Sequence, residues 1–481
     1  MHSCSKKCSR RYRDVSILGE LRLRKDSGVG RPPAGSLWRN VFKITWPSFV
    51  ELLMVTLFGM VDMMMVGKLG PAAIASIGLT NQPFMLLLAI FAAVNVGTTT
   101  IVAWKIGAGS PKEARDVTRQ SIVTNIALGA LMSVVGIISA PWVIKFMGAK
   151  PDTIKNATQY FQIVSAGLLF QAVAMCITAA LRGAGETKIP MVYNIGSNLL
   201  NIFGNYVLIY GKWGFPQMGV AGAATSTTIA RALTCFAGLY VLYIWRKAKI
   251  RLSLKDKYRF NWELIKQVFS IGIPSALEQL IIQGGLIFFA KIVSGLGTVV
   301  FAAHQIGLNI SGLTFAPSMA FGVAATTLVG QSLGAGNEKR AEHYANMIHH
   351  LAVGVGCSMG LVFILCSHKI ARLYTSDLTV IAMAGTVLKI LALGQPGQAT
   401  QLSLAGALRG AGDTVYPLYA SLFGIWFIRG VLAYAFVNFF HWGLVGAWIA
   451  LTTDQYVRSI IVYLRFRSGK WKQVRTSTLS T

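Results

Sequence analysis

An all-α polytopic membrane protein, with about twelve transmembrane helices in two pseudo-symmetric six-helix lobes, is the fold class this 481-residue chain predicts. Three observations predict it. The composition is 54% hydrophobic and 13% charged, whereas soluble domains carry nearer a quarter charged residues. The apolar residues come in blocks, such as Val123 to Ile144 and Ile348 to Cys366, close to the ~20 residues that cross ~30 Å of hydrocarbon. The chain also matches itself at a constant displacement of 227 residues. The blocks lack the period-2 alternation of a membrane β-barrel, which leaves a helical bundle.

The predicted spans of the first half are 42–66, 81–104, 118–144, 157–181, 190–210 and 219–245. Those of the second are 267–293, 302–330, 343–368, 379–405, 415–438 and 443–465. The repeat ties them together in order. Pro47-Ser48 and Glu51 of the first span fall on Pro274-Ser275 and Glu278 of the seventh. Gly70, Thr99-Thr100 and Gly107-Ala108-Gly109 fall on Gly297, Thr326-Thr327 and Gly334-Ala335-Gly336. Gln171 falls on Gln398, and the turn from Ala180 to Gly185 falls on that from Ala407 to Gly412. Past a shorter loop, Gly219 and Gly222 align with Gly443 and Gly446.

The domain plan follows. Residues 1–40 form a basic cytoplasmic tail, 41–245 the amino-terminal lobe, 246–266 a cytoplasmic linker, 267–465 the carboxy-terminal lobe and 466–481 a second tail. The linker carries Trp262 and a short amphipathic run suited either to anionic headgroups or to plain solvent. Six spans per half is an even number, so both halves start on the same side and the repeat is parallel.

The net charge of +28 invites a nucleic-acid partner, but no basic stripe interleaved with aromatics appears. Topology accounts for the charge instead. With the amino terminus inside, 33 Lys and Arg fall on the cytoplasmic side against eight outside (Lys68, Lys145, Lys150, Lys155, Lys212, Lys291, Lys369 and Arg372). The asymmetry predicts a plasma-membrane protein with both termini cytoplasmic, in contact with lipid and monomeric. Residues 1–36 hold no apolar h-region, so no cleavable signal peptide is expected. Cys176, Cys235, Cys357 and Cys366 lie in apolar blocks as packing residues. Cys4 and Cys8 have no partner pair that would make a metal site.

Neither an HExxH run nor a GxxxxGK[ST] loop occurs, so metal-dependent hydrolysis and direct ATP use are excluded as readings. No cofactor is expected. Ionisable groups within spans carry the functional argument, because they are costly at bilayer depth. Asp62 sits near the outer end of the first span. Asn194, Asn198, Asn201 and Asn205 step by 4, 3 and 4 along one face of the fifth. Asn201 and Asn205 match Asp62 in depth. A carboxylate with amide oxygens suits a proton or a hard cation such as Na+, and no other metal is expected. The bland alternative is that the amides only glue helices together.

Asp454 stands mid-span with Arg458 four residues on and Arg429 at equal depth in the neighbouring span, which predicts a static buried ion pair. Glu278 and Gln398 are the candidate polar site of the second lobe. Glu51 repeats Glu278, which favours a structural role for both. Met63-Met64-Met65, Phe84, Met85, Phe288 and Phe289 could line an adaptable apolar cavity, with lipid-facing packing the first reading for most of them.

Val61-Asp62 before Gly67-Lys68-Leu69-Gly70, the two Leu-Arg-Gly-Ala-Gly-acid-Thr turns and Ala302-Ala303-His304-Gln305-Ile306 resemble the multidrug and toxic compound extrusion (MATE) family, in its norfloxacin-exporter-like branch. The resemblance covers roughly residues 38–470. It implies a cation-coupled exporter of drug-like small molecules, often organic cations, that works by rocking two lobes. It also implies cation-site roles for Asp62, Asn201 and Asn205, and for Thr227 on the sixth span. The chain departs from that branch in the second lobe, where Gln398 and Ile281 stand in place of carboxylates. The main alternative is a flippase or exporter of a lipid-linked or amphipathic substrate.

Overall fold

The computed structural model describes residues 34–149, 151, 153–245, 249–253 and 260–474. The first tail with Cys4 and Cys8, residues 246–248 and 254–259 of the linker, and residues 475–481 lie outside the described residues, as do the expectations that fall on them. Contacts divide the chain after Phe42. Residues 34–42 are the first turns of a helix, and the packing described below concerns residues 43 onward.

Twelve helices follow one another, with no strand among the described residues. The first lobe consists of α1 (Ala34–Gly67), α2 (Pro71–Gly107), α3 (Pro111–Phe146), α4 (Ile154–Ala166 and Leu168–Gly183), α5 (Lys188–Tyr210) and α6 (Gly219–Tyr243). The second consists of α7 (Trp262–Ser294), α8 (Thr298–Gly334), α9 (Glu338–Arg372), α10 (Leu378–Ala411), α11 (Val415–Asn438) and α12 (Gly443–Arg467). Eight of these, or nine when the two segments of α4 count as one span, are long and apolar enough to cross a membrane. The remaining three, α5, α6 and α12, carry the asparagine face, a run of Ser and Thr, and Asp454 with Arg458. Their polar groups face protein, where partners exist.

Two spans depart from the continuous α-helices predicted. α4 bends by 46° at Gly167. The break stands inside a membrane because neighbours satisfy the freed groups. Leu169 N–H donates to Ser133 Oγ at 3.2 Å, and Thr228 Oγ1 donates to the Ile163 carbonyl at 3.0 Å. α11 widens into a π-helix over Phe423–Gly430. Gly424 sits there against Asp454 and Arg458, where any Cβ would collide with both side chains. Such wide turns occur where a helix must accommodate a neighbour.

The repeat governs how the lobes meet. Thr100 Oγ1 donates to the Arg409 carbonyl at 2.9 Å, and its repeat mate Thr327 Oγ1 donates to the Arg182 carbonyl at 2.9 Å. Trp104 Nε1 donates to the Gly410 carbonyl at 2.8 Å, and its mate Gln331 Nε2 donates to the Gly183 carbonyl at 2.9 Å. The contact is therefore reciprocal about a pseudo-two-fold axis. Gly107 and Gly334 make it possible, since a Cβ on Gly334 would come within 2.9 Å of Trp104 Cα and one on Gly107 within 2.7 Å of the Gln331 carbonyl carbon. Along the side of the bundle α2 and α7 touch backbone to backbone at Gly97 and Gly272.

Candidate functional site

A cavity of about 830 Å³ lies almost wholly within the first lobe. α1, α2, α4, α5 and α6 line it, and α8 and α10 close its far wall through Met319, Val323, Thr326, Leu402 and Arg409. Met63, Phe84 and Met85 face this cavity, the second of the two readings their sequence allowed. Met64 is exposed on the outer surface of the bundle, and Phe289 is buried in the second lobe.

Asp62 projects from α1 into the cavity. Asn205 Nδ2 donates to its Oδ1 at 2.7 Å. One helical turn away, the Asn201 side chain lies 3.1 Å from both carboxylate oxygens. Oriented to satisfy both its ends, that amide donates to Asp62 and accepts from Thr227 N–H at 3.1 Å. The Thr227 hydroxyl is 3.4 Å from the same amide. The four residues from three helices thus share one contact. Tyr210 Oη fixes the outer end by donating to the Met65 carbonyl at 2.8 Å. Asn201 is 4% exposed and Asn205 1%, so both amides have left water, and Asn205 Oδ1 has no partner. A buried oxygen without a donor, beside a carboxylate, is a place for a hard cation or for a proton-bearing carboxyl.

Glu51 does not reach that group. It pairs with Arg182 at 3.0 Å and accepts from Asn194 Nδ2 at 2.5 Å. Glu278 repeats the arrangement, pairing with Arg409 at 2.7 Å and accepting from Ser421 Oγ at 3.1 Å. These partners went unrecognised from sequence. Their signal was there, because Arg182 and Arg409 stand apart by the same 227 residues as the two glutamates. Asn198 only donates back to the Asn194 carbonyl.

The second lobe is filled where the first lobe carries its carboxylate. Phe289 occupies the place of Asp62 in the repeat and is 2% exposed, 5.5 Å from the His304 ring. Trp448 packs on the other side of His304 at 5.7 Å. Gln398 is buried and its Nε2 has no partner, while its mate Gln171 lines the cavity. Arg429 donates from Nε and Nη2 to Asp454 Oδ2, at 3.0 and 2.5 Å. Arg458 Nε lies 3.0 Å from Asp454 Oδ1 without hydrogen-bond alignment. One aspartate thus serves two arginines. The cluster carries an excess positive charge.

The turns after α4 and α10 carry carboxyls of their own, half-buried at Glu186 and buried at Asp413. Glu186 accepts from the Lys249 backbone N–H at 3.0 Å, and its mate Asp413 accepts from Arg465 Nε at 2.7 Å. Burial pushes both above the ordinary carboxylate range, and the hydrogen bonds partly oppose it.

Comparison with known proteins agrees with this architecture. The MatE family profile matches twice, over residues 47–207 and 274–435, so each match begins at the same point of the repeat. The probable multidrug resistance protein NorM of Thermotoga maritima is 32% identical over 438 residues, covering 90% of this chain and 93% of that protein. The multidrug resistance protein PmpM of Pseudomonas aeruginosa is 30% identical, covering 82% and 83%. Among solved structures, an outward-facing multidrug resistance MATE family transporter of the MOP superfamily superimposes with a TM-score of 0.84 at 23% identity, over 92% of this chain and 96% of that one. A MATE crystal structure in the bent conformation gives the same score over 92% and 97%.

Proposed function

The chain belongs to the MatE family and is a multi-pass membrane transporter rather than an enzyme; from that premise we propose that it exports drug-like small molecules, often organic cations, by antiport with H+ or Na+ across the plasma membrane. The observation that carries this reading is Asp62, a carboxylate facing the cavity with Asn201, Asn205 and Thr227 around it. Binding a proton or Na+ there neutralises a charge that is otherwise costly in a closing, dehydrated site. Drug and coupling ion then compete for one lobe, and each outward delivery of drug exchanges for one inward ion. Na+ would take the Asp62 oxygens and Asn205 Oδ1 as ligands. A proton would need only the carboxylate.

The reciprocal hydrogen bonds between the lobes lie at the end that bears the 4–5 and 10–11 turns. The excess of basic residues in the connections at that end supports a cytoplasmic position for it. This arrangement corresponds to a cytoplasmically closed state, and breaking the reciprocal set opens the other one. Both lobes are in one chain, so a monomer suffices. Energy comes from differential ion binding to the two states.

The test is dye efflux from proteoliposomes under imposed proton or sodium gradients. The wild-type protein should move dye under one of them. Asp62→Asn should fall to the level of empty liposomes while still eluting as a folded protein, and Gln398→Ala should keep most of the activity. Gradient-driven efflux by Asp62→Asn at the wild-type rate would remove the coupling role.

A further inference from the structure

Glu51, Asp62, Arg182, Arg231 and Arg409 are the charged side chains that line the cavity among the described residues. Arg409 belongs to Glu278, and Arg231 rests on the Phe84 ring, 4.5 Å from its centroid. The carboxylates of the lining are thus Glu51 and Asp62, both on α1 and separated by about 16 Å along its axis. α5 runs beside them in register. Asn194 donates to Glu51 and Asn205 to Asp62, and each asparagine follows its carboxylate by 143 residues. Asn198 and Asn201 stand between these two and line the same cavity. A stripe of amides therefore joins Glu51, at the end where the lobes meet, to Asp62 at the far end.

Each end of the stripe holds a buried oxygen with no hydrogen-bond partner, Asn205 Oδ1 beside Asp62 and Oε2 of Glu51 itself. Glu51 is 3% exposed. Asn194 Nδ2 and Arg182 Nη2 both approach its Oε1, which leaves Oε2 free. The repeat supplies the control. Glu278 takes Ser421 on Oε1 and Arg409 on Oε2, so both its oxygens are spent, and it stands outside the cavity lining. A glutamate that only braces its lobe would be satisfied in the same way in both. The spare oxygen occurs in the lobe that also carries Asp62.

We propose that Glu51 is a second station for the coupling ion, which takes the ion from Asp62 and releases it when the lobes part at the seam. The proposal rests on the reading of Asp62 as the coupling site. A carboxylate oxygen without a donor accepts Na+ or a proton alike. Arg182 is the lock. Its own carbonyl accepts from Thr327 of the opposite lobe, and the next carbonyl, of Gly183, accepts from Gln331. The closed seam pins residue 182 and holds its guanidinium against Glu51. Parting of the lobes frees Arg182 and leaves a carboxylate that attracts the cation. For a proton, the O–H bond at Asp62 breaks, one forms at a Glu51 oxygen, and the negative charge returns to Asp62.

Two rates measured with ethidium in proteoliposomes provide the test. Ethidium-for-ethidium exchange needs no net movement of the ion, whereas efflux driven by an imposed proton or sodium gradient does. Glu51→Gln should slow driven efflux about tenfold, the scale of one lost charge-assisted contact, and keep exchange within about twofold of wild type. Glu278→Gln should change both rates by the same factor, because that residue only braces its lobe. A common fall in both rates for Glu51→Gln would make Glu51 a structural or substrate-contacting residue and overturn the station. Driven efflux at the wild-type rate would overturn it as well. Glu51→Gln strands Arg182, so if that variant misfolds the double replacement with Arg182→Gln decides, since it puts two neutral amides in place of the ion pair. The double variant should show the same split, and an unchanged ratio of the two rates overturns the proposal. Driven efflux abolished by Asp62→Asn but normal in the Glu51 variants would sink this inference alone. Driven efflux at the wild-type rate in Asp62→Asn would sink the coupling reading with it.

Discussion

A single aspartate between two arginines makes an unequal set of partners in the second lobe. Asp454→Ala strands both Arg429 and Arg458, whereas Arg429→Ala leaves Asp454 its other partner. Breaking a buried pair costs about 3–5 kcal/mol. Asp454→Ala should therefore show the larger loss of melting temperature and folded yield in detergent, with Arg429→Ala intermediate. Adding Arg429→Ala to Asp454→Ala should recover part of the loss, and strict additivity would count against the pairing. Residues of this kind were legible in the sequence because a charge inside an apolar block is conspicuous. Asp62, Asp454 and Arg429 all announced themselves so. The ring of amides around Asp62 was legible through helical spacing alone. The Glu51–Arg182 and Glu278–Arg409 pairs escaped, because each arginine sits at a turn, where a basic residue looks like ordinary topology. Arg231 was visible as a charge in a span. That it faces a cavity with no carboxylate partner among the described residues was not visible, because it depends on how separate helices pack.

At the level of the helix, close contact depends on missing side chains. α2 and α8 approach through Gly107 and Gly334. Gly107→Val or Gly334→Val should wedge them apart and bias the transporter toward the state open on that side. Spin labels at Ser110 and Asn337, equivalent positions at the starts of α3 and α9, should then show a larger population of long distances in pulsed electron resonance. An unchanged distribution would mean that the glycines only pack. The turns after α4 and α10 add a pH dependence. Glu186 has its protonation favoured by folding, so its contribution to stability is complete below the ordinary carboxyl value of 4.5 and is lost as pH rises through the raised folded value. Glu186→Gln should flatten the melting temperature over that window. All twelve helices were readable as segments between turns, although α5, α6 and α12 are less apolar than the rest. The π-helix of α11 was not, since the side chains packed against it at Gly424, Asp454 and Arg458, stand on another helix.

For the molecule as a whole, the parallel arrangement of two halves makes a topological prediction. Single cysteines at Ser110 and Asn337 should resist membrane-impermeant reagents applied to intact cells and react once the membrane is opened. Efficient labelling from outside would invert the orientation. The same molecule is asymmetric in what it encloses. The repeat predicted equivalent lobes, yet the cavity belongs to the first, and the second fills the corresponding volume with Phe289, His304 and Trp448. Substitutions lining the first lobe should therefore alter dye selectivity, while those in the second should alter stability. The sequence carried a trace of this inequality in Gln398, where the family resemblance implies a carboxylate. Its extent was hidden because packing around Phe289 involves residues far apart in the chain.

The reciprocal hydrogen bonds of Thr100, Thr327, Trp104 and Gln331 also bear on ancestry. A face that meets its own copy can be encoded once. Two separate six-helix chains, inserted the same way round, would make this contact as a homodimer without any linker. Fusion of such a pair would preserve the join and release the remainder from symmetry. One descendant could then keep a polar chamber while the other solidified into a scaffold. The conserved seam and the divergent interiors of this chain are what such a history leaves behind.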